Sequence, residues 1–440
     1  MKVKYLFLFI VFIGVSRTAA QDKWALSECL RAAYQANHLL KAVTYQEQQA
    51  RMQLNISKAQ RMPVVNMLSG YTRIGRLTTI EFSTSPDAPP RKLTFGTPNR
   101  MNLDVRLQMP LFTWQRIKNS ITLATLGLQM NSLEKEKQKL SLTAQVLQAY
   151  YGALFGKKIL ELTRQNVQRT EEYLNITQRR YAAGQLPKLE LLRARVKLKN
   201  EQSRLQSARA EYEKSLAFLA RVTGKSPGSI EPDGQIKFVP LTVDEHEYVQ
   251  RALEKRPELR QLHGQKAMLA TQQKIAGAGN KPNLGLVSSY SVMNGFDPMN
   301  PEKFYTNYNI GLQLSWPLFD GFKARFQAQG LYYNQKALEE QTKEIEENIK
   351  LQIRQALISL KQATQKIESQ KANIELASEA LSLAQKQYNQ GVISSLDLLD
   401  AQKALLQTEM AYWQAVFSHI LAKIELCKAT ANFSVFEDQM

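Results

Sequence analysis

Tyr388-Asn-Gln-Gly-Val-Ile-Ser-Ser-Leu-Asp-Leu-Leu-Asp-Ala-Gln402 reads as a helix end, a tight turn and a helix start. A second stretch, Tyr181-Ala-Ala-Gly-Gln-Leu-Pro-Lys-Leu-Glu-Leu-Leu-Arg-Ala194, matches it at an offset of 207. Tyr388 pairs with Tyr181, Gly391 with Gly184, Leu396 with Leu189, Asp397 with Glu190 and Leu399 with Leu192. The same offset lays Pro317-Leu318-Phe319 on Pro110-Leu111-Phe112. Two separate matches at one offset mark an internal duplication, so the 440 residues form one body of two similar halves.

Each turn is reached by a very long helical segment, 115–182 or 320–390, and left by a return helix, 188–223 or 395–430, that folds back antiparallel. In the later rod Leu338, Ile345, Ile349, Ile353, Ala356, Leu360, Ala363, Ile367, Ile374, Ala377, Leu381, Ala384 and Tyr388 recur at spacings of 3, 4 or 7, which is a coiled-coil seam. The earlier rod shows Leu133, Leu140, Leu147 and Leu154, then Leu160, Val167, Leu174 and Tyr181. At about 1.5 Å per residue each rod reaches on the order of 100 Å. Its remaining surface is Gln, Lys, Glu and Ser, so the packing seam is narrow.

Strands precede each rod. Met101, Leu103, Val105, Leu107, Met109 and Leu111 alternate with Asn102, Asp104, Arg106 and Gln108, which puts apolar and polar groups on opposite faces. The second half repeats this with Tyr308, Ile310, Leu312, Leu314 and Trp316. Their hairpin partners are Val64–Ile74, where alternation is poor, and Asn283–Met293. The segment 76–98, rich in Thr, Ser and Pro, reads as a loop. Aromatic residues gather near the strand ends, at Tyr71, Phe112, Trp114, Tyr290, Phe304, Tyr305, Trp316 and Phe319. Such strands suit either a water-soluble sheet on a core or a membrane barrel with aromatic girdles. The second fits better, because the neighbouring helices are too long to cover a sheet.

The first repeat therefore spans 21–223, with a helix over 24–60, a hairpin at about 63–111 and a tip near 184. A Pro- and Gly-containing linker follows at 224–243. The second repeat spans 244–431, with a hairpin at about 282–317 and a tip near 391, and 432–440 is a tail. Within it Arg256-Pro-Glu-Leu259 mirrors Ala36-Asn-His-Leu-Leu40, and Pro257 either kinks a helix or starts one. Residues 1–20 read as a signal peptide: Lys2 and Lys4, an apolar run Tyr5–Val15, and Thr18-Ala-Ala20 before Gln21. Beyond it no apolar run approaches the length of a spanning helix, about 18 residues or more. A strand signal is far weaker, so export and membrane insertion remain compatible.

The formal charge is +19, and about +16 without residues 1–20. Basic residues are scattered along helices without a cluster, which points to a solvated surface rather than to nucleic acid. Cys29 and Cys427, the two cysteines, fall in helical patterns as small core residues. Catalytic and metal signatures fail on inspection. Thr223-Gly-Lys-Ser226 resembles the end of a phosphate loop, but Leu219 stands where that loop needs glycine. His38, His246, His263 and His419 lack metal-ligand spacing. Asp397 and Asp400 share a helix face, yet carboxylates at a helix start are favoured by the dipole alone. No enzyme activity, metal or cofactor is implied.

Four strands cannot close a barrel, so the chain must oligomerise. Two copies give eight strands and a filled interior; three give twelve and room for water. A ring of antiparallel helix pairs would bury every seam around a polar lumen.

At this point the sequence resembles the TolC-like outer membrane efflux proteins. The resemblance rests on the duplicated junctions Pro110-Leu-Phe and Trp316-Pro-Leu-Phe-Asp-Gly-Phe322, on Arg256-Pro-Glu-Leu259, and on the 388–402 turn. It implies a mainly α chain with membrane β, forming a homotrimeric twelve-stranded β-barrel continued by an α-helical barrel. It further implies a passive duct in the outer membrane of a Gram-negative cell with a long periplasmic portion, docked to a periplasmic adaptor and an inner-membrane transporter. Asp397 and Asp400 match an acidic ring at the entrance, and Tyr388 matches a latch whose acid here is Glu190. An arginine expected in that latch is replaced by Ile393. Gly184, Gln185, Leu186, Gly391, Val392 and Ile393 match adaptor-docking tips. The competing reading is a periplasmic coiled-coil protein without a channel.

Overall fold

A computed structural model describes residues 22–83, 85, 89–241, 244–297 and 299–439; the signal peptide expected over 1–20 lies outside them. Two compact units result. The first draws on the chain up to Lys41, on Lys137–Arg256, and on everything from Glu347. The second takes Ala42–Glu136 and Pro257–Glu346, so each repeat contributes to both.

In the first unit, helix α1 (Leu26–Ala36) buries Leu26, Cys29, Leu30 and Ala33, the i, i+3, i+4, i+7 stripe of an amphipathic helix. These residues join Leu147 and Leu154 of α3 (Arg116–Ala182), Leu219 of α4 (Lys188–Thr223) and Val416 and Ile420 of α8 (Ser395–Ala429) in one core. Phe433 and Phe436 of the C-terminal segment close it. Cys29 and Cys427 are free and buried, and burial pushes both thiols up to about 12.

The helix expected over 24–60 is broken. Strand β1 (Asp22–Trp24) precedes α1, and Asn37 separates α1 from α2 (His38–Ala59). Asn37 is extended, at ψ 116°, and its side chain accepts the Leu40 N–H at 2.8 Å, so it ends one helix and caps the next. The second repeat breaks at Arg256, between α5 (Glu245–Lys255) and α6 (Pro257–Gly277). Pro257 thus starts a helix, where its missing N–H costs nothing. The stretch 224–243 is more than a linker: β6 (Ile230–Pro232) pairs in parallel with β1, and Ile230 and Ile236 are buried. Three residues paired with a remote segment leave no local pattern to read.

Helix α7 (Lys323–Gln390) buries Ile349, Ile353, Ala356, Leu360, Ala363, Ile367, Leu381 and Tyr388, the seam that the spacing predicts. The α3 seam departs from expectation near its C-terminus. Val167 is buried, but Tyr181 is 39 % exposed, and beside the expected positions the buried stripe runs through Thr163, Asn166, Thr170, Tyr173 and Thr177. Each of those threonines donates its hydroxyl to the carbonyl four residues back at 2.8–2.9 Å, which lets a polar side chain pack in a seam.

The second unit holds an antiparallel sheet in the order β2 (Val64–Arg73), β5 (Asn99–Phe112), β7 (Asn283–Met293), β8 (Tyr305–Ser315). Register places Met67, Val105, Tyr290 and Tyr308 in one row, and Val65, Leu107, Ser288 and Ile310 in another row on the same face. Asn66, Arg106, Ser289 and Asn309 form a row on the other face. The alternation seen in two strands therefore extends across four. Tyr308 is 80 % exposed and Ile310 73 %, so the apolar face is bare. Strands β2 and β8 are the sheet's edges. The expected loop at 76–98 contains a further hairpin, β3 (Thr78–Phe82) with β4 (Arg91–Phe95). The strand-to-helix junctions carry left-handed residues at matching positions, Trp114 and Gln115 in one repeat, Gly321 and Phe322 in the other.

Candidate functional site

The two helical hairpin tips belong to the first unit and are built alike. Gly184 (φ 74°) and Gly391 (φ 78°) take the left-handed conformation that glycine adopts without steric cost. Gly184 N–H donates to Tyr181 O at 3.0 Å and Gln185 N–H to Arg180 O at 2.9 Å; Gly391 N–H donates to Tyr388 O at 3.0 Å and Val392 N–H to Gln387 O at 2.9 Å. This pairing satisfies the last carbonyls of α3 and α7 and turns the chain. Gln185 is exposed and Leu186 half-buried. Val392 is 69 % exposed, whereas Ile393 packs against the buried cluster of Tyr173, Ala194, Leu381, Tyr388, Leu398 and Leu405. The expected arginine has thus given way to a packing residue.

Helix α8 opens on a reciprocal cap. Ser394 Oγ accepts the Asp397 N–H at 3.3 Å, while the Asp397 carboxylate accepts from Ser394 N–H at 3.0 Å and from its hydroxyl at 2.6 Å. The Ser394 hydrogen bonds hold the Asp397 carboxyl below its ordinary range. Asp397 and Asp400 are both exposed, and neither has a cationic partner among the described residues. Glu190 differs: Arg193 pairs with it at 2.8 Å, cancelling its charge.

The expected bond between Tyr388 and Glu190 is not formed. Glu190 accepts the Ser395 hydroxyl in addition to Arg193. Tyr388 is 3 % exposed and its hydroxyl has no partner among the described residues. Its ring instead meets Tyr173, centroids 5.9 Å apart, and the Arg180 guanidinium lies 4.8 Å above it. Arg180 also donates to Asn389 O at 2.8 Å. Near the tips the hairpins are joined instead by Arg180 to Tyr388 and Asn389, by Ser395 to Glu190 and by the Tyr173–Tyr388 ring contact. Arg180 and Ser395 leave no mark in the sequence, because nothing local signals a cation over a ring two hundred positions away. The Ser394-x-x-Asp397 cap, by contrast, is a readable motif.

A duplicated chain with these tips and this sheet invites comparison with known proteins. The family described as Outer membrane efflux protein matches residues 29–225 and 248–432. The chain belongs to the outer membrane efflux protein family. Nodulation protein T of Rhizobium leguminosarum bv. trifolii is 24 % identical over 63 % of this efflux protein and 60 % of its own length. The alkaline protease secretion protein AprF of Pseudomonas aeruginosa is 24 % identical over 72 % and 66 %. The match thus spans somewhat under two thirds of these two relatives. The pyoverdine export outer membrane protein OpmQ of Pseudomonas putida is 23 % identical over 92 % of this chain and 85 % of its own. Among solved structures, CusC superposes with a TM-score of 0.76 at 16 % identity, covering 94 % of this chain and 96 % of its own. The outer-membrane channel OprN gives 0.75 at 18 %, covering 92 % and 90 %. These likenesses identify the fold as that of the family: a mainly helical chain with a small β region. The family is one of outer membrane efflux proteins.

Proposed function

We propose that this efflux protein is the exit duct of a tripartite efflux or secretion assembly: a homotrimer whose twelve strands close a β-barrel in outer-membrane lipid, continued by an α-helical barrel. The observation that carries the reading is the four-stranded sheet with one bare apolar face, one largely polar face and two unpaired edges, β2 and β8. An open edge invites another strand, and an apolar exterior around a polar interior is what lipid requires. The two-repeat division, 21–223 and 244–431, belongs to this reading, since each repeat supplies one hairpin and one tip. The tips, through Gly184, Gln185, Leu186, Gly391, Val392 and Ile393, meet a periplasmic adaptor, which links the duct to an inner-membrane transporter. Relatives are named for protease secretion and for pyoverdine export; cargo is set by the transporter.

In this reading Asp397 and Asp400 ring the entrance, and their exposed, uncompensated charge supports that role. The closed mouth is held by Arg180 over Tyr388 and by Ser395 on Glu190 rather than by Tyr388 on Glu190. The test is purification in detergent followed by mass determination and planar-bilayer recording. A trimer that conducts, and whose cation preference falls in the Asp397→Ala, Asp400→Ala double variant, is the expected result. A monomer without conductance would sink the duct, and unchanged selectivity in a conducting trimer would remove the ring.

A further inference from the structure

Away from the tips, the core of the first unit contains a cleft of about 430 Å³ between α3, α8 and the 233–239 segment. His419 and Lys423, four residues apart on α8, share its wall. His419 is 1 % exposed, and neither ring nitrogen has a hydrogen-bond partner among the described residues. Lys423 is 5 % exposed and makes no ion pair with them; its ammonium lies 5.3 Å over the Phe436 ring. A buried ammonium without an acid is costly, and the ring contact offsets only part of that cost. Asp233 is the carboxylate on the wall, and Lys237 joins the cations, so the lining is net positive. Asp233 does not reach Lys423; its carbonyl is engaged by the Tyr150 hydroxyl. Leu154, Val239 and Ile420 supply the apolar part of the wall, beside Tyr150, Tyr151 and Gln235.

We infer that this cleft binds a small organic carboxylate, its acid group on Lys423 and His419 and its apolar part on Leu154 and Ile420. A carboxylate would give Lys423 the charge-assisted partner that the chain withholds. Burial and the neighbouring Lys423 push the His419 imidazole down to about 4, so near neutrality it offers one N–H donor without adding charge. The geometry alone, two buried donor-bearing side chains aimed into one amphipathic cleft, selects the ligand class.

Benzoate and its neutral counterpart benzyl alcohol are suitable probes of the full-length protein in detergent, by titration calorimetry and thermal shift. Benzoate is expected to bind saturably with a Kd below about 10 mM, and benzyl alcohol is not. Lys423→Met should weaken benzoate at least about ten-fold, the loss of a single charge-assisted bond, while melting no lower than the parent because an unpaired buried charge is gone. His419→Gln, which keeps a donor, should weaken it less. No saturable benzoate binding, equal binding of benzyl alcohol, or full binding by Lys423→Met would each overturn the inference. The readout needs neither a pore nor a partner, so it stands or fails apart from the duct.

Discussion

Tyr388 shows how one hydroxyl can be a poor guide to the contact its ring makes. The ring is packed against Tyr173 and capped by Arg180, whereas the oxygen is buried without a partner among the described residues. Removing an unsatisfied buried hydroxyl is near neutral or stabilising, so Tyr388→Phe should leave melting and conductance unchanged. Ser395→Ala and Arg180→Ala, which cut the polar links between the hairpin tips, should raise resting conductance. The bilayer measurement separates these from a Tyr388–Glu190 latch, for which Tyr388→Phe would open the mouth. Tyr181, the sequence twin of Tyr388, is exposed, and the buried counterpart in the first hairpin is Tyr173. The duplication made the pair visible; which tyrosine turns inward depends on the seam crossing a threonine stripe, a packing outcome with no period of its own.

Among the elements, α8 begins on the Ser394–Asp397 cap, and this start fixes the turn that carries Asp397 and Asp400. Ser394→Ala should cost about 1 kcal/mol of local stability, read as amide exchange about five-fold faster across the first turn. The Asp397 carboxyl is held below its ordinary range by Ser394. Its contribution is therefore complete above the ordinary carboxylate pKa and lost as pH falls through the lowered value, so protection of that turn should fade in acid in the parent and less in Ser394→Ala. The long helices, the tip glycines and the strands at 101–111 and 308–316 were legible because period and turn chemistry agree over many residues. Three features were not. Asn37 favours a cap, but a single Asn with no Gly or Pro beside it does not by itself mark a break in a long helical pattern. The β3–β4 hairpin carries its apolar side chains in two short five-residue strands amid loop-like composition. The β1–β6 pair spans only three residues.

For the whole molecule, the two faces of the sheet make opposite demands. Leu312 lies on the apolar face beside Leu286, and Asn309 on the opposite face beside Ser289. If the apolar face meets lipid, Leu312→Arg should cost about 2–4 kcal/mol near the bilayer midplane and sharply reduce recovery in outer-membrane fractions. Asn309→Arg should insert normally. Equal recovery of the two would remove the lipid-facing assignment. The sheet's faces were readable from the alternation, but its strand order was not, because β5 and β7 come from different repeats and meet only in the folded chain.

The β1–β6 pair also imposes an order of events. Residue 22 has its partner at residue 230, and the core beneath them takes Leu26 and Ile230 together. A chain delivered from its N-terminus must therefore keep residues 22–24 waiting until the whole first repeat and the start of the 224–243 stretch have emerged. Contacts of such long sequence separation form late. During that interval the apolar stripe of α1 is uncovered, which makes the leading end of this protein the stretch most in need of protection while it is in transit.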